Sequence, residues 1–214
     1  AAIDKILVES SKRYKPGAYI IKNVSILTMK DSALLKNQSV LIDNGIIEKI
    51  ANDIPNVNAT IIDGEGKFLM PGLSDMHVHL FHGHPIKNTW ILHLIINGVT
   101  TVRDLYGSPE KLILRERIRR NEVLAPNLYQ SGQMINGVND KYAAYASTAR
   151  EGREIVQAHK KANYDFIKVY DGLSKEVYEA VVDEAKRQNL SVVGHVPDQI
   201  TILEAVNRGQ KSIE

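Results

Sequence analysis

From Leu69 onward the chain alternates short apolar runs with amphipathic stretches, and that alternation sharply limits the folds open to it. Strand-like Leu69–His77 precedes a helical segment near Lys87–Asn97, and strand-like Val99–Arg103 precedes another near Pro109–Asn121. Asn127–Ser131 reads as a third strand. Helical Thr148–Ala162 leads to strand Phe166–Tyr170, and helical Ser174–Gln188 leads to strand Ser191–His195. A last helix near Thr201–Asn207 ends at Gly209, a residue suited to the left-handed end of a helix. Ser174 reads as an N-cap with Glu176 in an acidic first turn, and Val177, Tyr178, Val181, Val182 and Ala185 form the stripe to be buried. Repeated strand–helix units imply parallel strands joined by helical crossovers.

Before Pro71 the texture differs. Short strand-like runs occupy Ala18–Ile21, Ser25–Met29, Ser39–Ile42, Ile46–Ile50 and Thr60–Ile62. Asn44-Gly45 between two of them is a hairpin signal, because a type I′ turn needs positive φ at both central residues. Asp63-Gly64-Glu65-Gly66 marks another turn. The expected organisation is an N-terminal arm or short helix over 1–17, a small antiparallel β domain over 18–68 and the strand–helix domain over 69–214. Asp63–Gly66 lacks the third glycine and following helix of a phosphate loop, which argues against a dinucleotide fold.

Composition mainly excludes. With 27 basic and 25 acidic residues the net charge is +2, which makes no electrostatic case for nucleic acid or membrane. The densest basic cluster, Arg115–Arg120, reads as a solvated helix face. There is no cysteine, so disulfides and thiolate zinc sites are ruled out, and any metal must be held by nitrogen and oxygen. No apolar run approaches the ~20 residues needed to cross a bilayer. A start at Ala1-Ala2 leaves the compartment open between cytoplasmic and exported, periplasmic included.

The chemistry-bearing residues fall at strand ends. Side chains two apart on a strand share a face, so His77 and His79 can converge on one ion. Lys168 and His195 stand at the ends of later strands, and together the series points to a metal site. A (β/α) barrel suits this placement, because barrel chemistry gathers at strand C-terminal ends. Tyr170 shares a face with Lys168 and is a candidate contact for a substrate carbonyl or carboxylate, with a packed tyrosine as the alternative. Arg103 and Asp104 read as a buried structural ion pair. His82 and His84 read as loop histidines, with substrate contact as the alternative, and His93 and His159 receive no function.

Four segments in order, Met70–Leu80, Gly98–Asp104, Phe166–Tyr170 and Gly194–Pro197, resemble the amidohydrolase superfamily, in particular its imidazolonepropionase-like and prolidase-like branch. The tail Gly209–Glu214 looks like the start of the strand that carries the next family histidine. The resemblance implies a TIM-type (β/α)8 barrel, incomplete in this chain, behind a small antiparallel β-sandwich. It also implies a binuclear centre with two divalent ions, zinc by preference. His77 and His79 would bind the first ion, Lys168 would bridge both, and His195 would bind the second. Lysine as an ammonium has no lone pair for a cation, so a bridging Lys168 would have to be N-carboxylated.

The implied activity is metal-dependent cleavage of a C–N bond in an amide, dipeptide or cyclic amide, with a metal-bridging hydroxide attacking the carbonyl. Lys168, His195 and Tyr170 are the expected catalytic residues. A family histidine and a catalytic aspartate would fall beyond Glu214. The alternatives are a deaminase of the same superfamily, which a bridging lysine disfavours, or a truncated, non-catalytic fragment. The expected partners are a small-molecule substrate and either a second copy of the chain or the remainder of the barrel.

Overall fold

The computed structural model describes all residues except 1, 13–16, 56–57, 81–88 and 140. His82 and His84 therefore lie outside the described residues. The chain divides into two compact units, residues 9–73 and residues 1–8 with 74–214. Helix α1 (Ala2–Lys12) opens the chain, and the expected short helix is thus a helix of 11 residues.

Residues 9–73 contain β1 (Ala18–Leu27), β2 (Leu34–Asp43), β3 (Ile46–Ala51), β4 (Thr60–Asp63) and β5 (Phe68–Leu69). They form one sheet in the order β3-β2-β1-β4, with β5 also on β1. The β2–β3 turn is as the sequence dictates, with Asn44 at φ 48° and Gly45 at φ 82°. The runs Ala18–Ile21 and Ser25–Met29 are one strand, not two. Asn23, at φ 59°, produces an irregularity that shifts the register between Ile21 and Val24 without ending the strand.

The expectation of an antiparallel unit holds for β1–β3 only. β4 and β5 run parallel to β1, so the sheet is mixed. Val24, Ile26 and Val40 form its core with Ile21, Ile42 and Leu69. Gly64 lies against β1, where a Cβ would fall 2.2 Å from Val24 Cγ1.

The second unit carries β6 (Leu73–Val78), α2 (Thr89–Ile96), β7 (Val99–Asp104), α3 (Pro109–Arg119), β8 (Asn127–Gln130), β9 (Met134–Asn136) and β10 (Ala143–Tyr145). It continues with α4 (Ala149–Lys161), β11 (Phe166–Val169), α5 (Lys175–Arg187), β12 (Ser191–Gly194), α6 (Ile202–Arg208) and β13 (Ser212–Ile213). The expected strand Leu69–His77 is broken at Met70-Pro71-Gly72, where proline removes a ladder donor. β9 and β10, three residues each, were not anticipated.

Two sheets result, β6-β7-β8 and β10-β9-β11-β12-β13. β7 and β8 are parallel, as are all pairs of the second sheet. A parallel bridge from Ser131 to Phe166 joins the end of β8 to the start of β11. The strand–helix alternation therefore yields the parallel pairing expected of it.

Local chemistry sets the helix ends. Ser174 caps α5 by accepting from Val177 N, and Thr148 and Thr201 make reciprocal capping boxes with Glu151 and Glu204. Gly209 ends α6 at φ 95°. The α5 stripe is buried as its spacing demands, with Val177, Tyr178, Val181, Val182 and Ala185 all in the main core. Leu7 of α1 packs with Ile91 and Val123.

Two expectations about charge fail. Arg103 and Asp104 do not pair, because successive strand residues point to opposite faces. Asp104 instead meets Lys111 at 2.7 Å in a buried pair, and Arg103 meets Glu214. Arg115 is not part of a solvated face. It is buried, holding Asp165 at 2.7 Å and the Asn163 carbonyl at 2.8 Å.

Candidate metal centre

β6 delivers His77, and His79 follows directly after it. Their Nε2 atoms are 3.3 Å apart. Two nitrogens held roughly 2.0–2.1 Å from one tetrahedral ion would stand about 3.3 Å from each other, so the pair is spaced as a two-nitrogen clamp. The opposite nitrogen of His77, Nδ1, lies 2.8 Å from Glu214 Oε2. Burial raises the Glu214 pKa. The Ser212 hydroxyl, the Arg103 guanidinium and His77 outweigh it, so the carboxyl stays below its ordinary value.

Lys168 points from β11 and is 1% exposed. Among the described residues its Nζ has no hydrogen-bond partner. Burial is the main cause that brings its pKa down to about 8, with Arg103 adding to the fall and Glu214 and Asp171 opposing it. Room for the side chain comes from Gly194 on neighbouring β12, where a Cβ would stand 2.8 Å from Lys168 Cδ and 2.2 Å from the Val169 carbonyl oxygen.

His195 follows β12, its backbone N–H donating to Val169 O at 3.1 Å. Its ring stacks on Tyr170 with centroids 4.3 Å apart, and its Nδ1 is 3.8 Å from Asp171 Oδ2. Burial first, then the charges of Lys168 and His77, lower its pKa against the pull of Asp171. The strand ends thus bring His77 and His79 into contact and place His195 within electrostatic reach of both Lys168 and His77. Among the described residues no three His, Cys, Asp or Glu side chains form a ready-made metal cluster.

The donor set fits a divalent cation on two counts. Two imidazole nitrogens face each other at ligand spacing, and a buried amine lies nearby without a partner. A charged ammonium could not bind a cation, but burial favours the neutral amine, the form that can be carboxylated. Sequence reasoning missed Glu214 and Arg103. Their roles depend on strands more than a hundred residues apart, for which no local pattern exists.

The amidohydrolase family model matches residues 68–214. This chain belongs to the amidohydrolase family. It is 27% identical over 225 residues to a 5'-deoxyadenosine deaminase of Methanosarcina acetivorans, covering 87% of this chain and 50% of that one. A dihydroorotase of Carboxydothermus hydrogenoformans is 48% identical over 60 residues, 28% of this chain and 14% of that one. A prolidase solved with N-methylphosphonate-L-proline superposes with a TM-score of 0.81 at 21% identity, over 92% of this chain and 60% of that one. Likeness at that identity speaks for the fold. The chain spans half or less of the length of these two curated relatives. Among the described residues no helix is long and apolar enough to cross a membrane.

Proposed function

We propose that this chain serves a metal-dependent amidohydrolase that cleaves a C–N bond in a small amide, with two divalent ions, zinc by preference, at the strand ends. Residues 69–214 would build the first strands of a (β/α)8 barrel, after an arm over 1–17 and a β-sandwich domain over 18–68. The observation that carries the reading is the buried Lys168 Nζ, without a hydrogen-bond partner among the described residues and within electrostatic reach of His195. An unsatisfied buried polar group costs about 1–3 kcal/mol, and the charges of Glu214, Arg103 and Asp171 around this one set it apart from a base that is merely packed.

His77 and His79 would hold one ion, N-carboxylated Lys168 would bridge, and His195 would hold the other. When bound, such ions lower the pKa of water to about 7 and draw charge from a carbonyl oxygen. The protein's own part is to aim both imidazoles, to keep Lys168 dry, and to orient the substrate. Tyr170, stacked on His195, fixes that ring and is the candidate hydroxyl for a substrate carbonyl or carboxylate.

Fitting substrates are Xaa-Pro dipeptides, N-acyl amino acids and cyclic amides, in line with the prolidase-like branch. The likeness to a putative prolidase of Bifidobacterium longum, 26% identical with a TM-score of 0.75 over 90% of this chain and 51% of that one, supports the first. A deaminase is the second reading, favoured by the match across 87% of the chain.

Metal analysis of the longest natural form, run beside amide, dipeptide and nucleoside screens, tests both readings. Bound metal with amide hydrolysis, abolished in a folded His195→Ala, is the expected result. Ammonia release from nucleosides alone would favour the deaminase. Full activity in His195→Ala would remove that residue from the centre.

A further inference from the structure

The His77 ring is held from behind by groups that no motif singles out. An ionised carboxylate only accepts hydrogen bonds, so the proton between His77 Nδ1 and Glu214 Oε2 belongs to Nδ1. In the neutral ring that leaves the Nε2 lone pair facing His79. The Glu214 side chain is 8% exposed. Its other oxygen accepts from Ser212 Oγ at 2.7 Å and from the Arg103 guanidinium. Arg103 also donates from Nε to Met76 O at 2.7 Å, the carbonyl just before His77. One guanidinium therefore holds both the backbone that carries the ring and the carboxylate that orients it.

We propose that Glu214, anchored by Arg103, is a positioning residue for His77, locking the ring with Nδ1 protonated and Nε2 open to a divalent cation. This rests on the metal-centre reading above. A metal-binding histidine that donates its second N–H to a carboxylate has its tautomer fixed, and loss of such a partner costs about 10–100-fold in metal affinity. Without the carboxylate, the intrinsically preferred Nε2–H tautomer would point a proton at the cation. A purely structural Arg103–Glu214 pair would change stability on mutation but leave both tautomer and affinity alone.

The test uses the full natural chain, with ¹⁵N NMR of His77 in the metal-free protein and Zn²⁺ affinity by competition with a chelating dye. Wild type should show the Nδ1–H tautomer, and Glu214→Gln, which keeps an acceptor oxygen, should retain it. Glu214→Ala should shift the ring toward Nε2–H and weaken Zn²⁺ binding by about 10–100-fold. Glu214→Leu, which fills the space without an acceptor, carries the same expectation should the alanine variant fail to fold. An unchanged tautomer with unchanged affinity would overturn the proposal. Absence of Zn²⁺ binding in wild type would sink the metal-centre reading instead, and the NMR comparison would still decide what Glu214 does to His77.

Discussion

Lys168 on β11 and His159 in the last turn of α4 are both buried bases with a nitrogen that lacks a hydrogen-bond partner among the described residues. Burial drives both toward the neutral form, Lys168 to about 8 and His159 to about 4. Their surroundings differ. For His159 burial is the whole cause, with the ring edge-on to Tyr164 at 5.4 Å and close under Gly132. Lys168 instead stands in the fields of Glu214, Arg103 and Asp171 and acts on His195 in turn. A buried base without a partner is therefore no mark of chemistry by itself. The charged company it keeps separates a packed ring from a candidate reactive amine.

Replacing Lys168 by methionine should give the largest effect. If the amine is a metal bridge, Lys168→Met in the full natural chain loses activity by about 10³-fold or more, roughly 4 kcal/mol of transition-state stabilisation. The same change removes an unsatisfied buried group, so the metal-free fold should keep its stability or gain about 1–3 kcal/mol. Steady-state kinetics and a thermal melt on the same preparation check both halves. Retained activity would place Lys168 with His159 and erase the contrast.

The contrast also marks what a sequence can reveal. Features set within a few residues were legible: the Asn44-Gly45 turn, the Ser174 cap, the α5 stripe, the Gly209 stop. The residue types at the strand ends were legible too, since His77, His79, Lys168 and His195 follow recognisable apolar runs. Pairings set by distant packing were not. Nothing in Thr60–Asp63 or Phe68–Leu69 says that these strands join β1 in parallel, and three-residue β9 and β10 are too short to show a period. Arg103 and Asp104 look like partners only until strand alternation sends one to Glu214 and the other to Lys111. The support behind His77 was hidden for the same reason, and so was the lack of a hydrogen-bond partner for the Lys168 amine among the described residues.

His159 gives the next effect, and it is on stability. Its folded pKa of about 4 lies below the ordinary 6.5, so between those values the unfolded chain takes up a proton that the folded chain refuses. The stabilisation is present above pH 6.5 and is lost as the pH falls toward 4, by up to about 3 kcal/mol. Denaturant melts from pH 7.5 to 4 should show this limb, and His159→Leu should flatten it while leaving activity at pH 7.5 within about twofold. Loss of activity in that variant would move His159 out of its purely structural role.

The smallest effect comes from two glycines that make room for these bases. A Cβ at Gly132 would stand 2.4 Å from His159 Cε1, and a Cβ at Gly194 would stand 2.8 Å from Lys168 Cδ and 2.2 Å from Val169 O. Gly194 also holds φ at +125°, a conformation that costs a side-chain-bearing residue energy. Gly132→Ala and Gly194→Ala should therefore both destabilise, each by about 2 kcal/mol. Only the second displaces a side chain that chemistry would use, and it also strains the backbone that carries His195. Gly194→Ala should lower turnover by about tenfold or more, as small misplacements of reacting groups do, with Gly132→Ala near wild type at a temperature where both are folded. Equal turnover in the two variants would mean that the space beside Lys168 matters no more than the space beside His159.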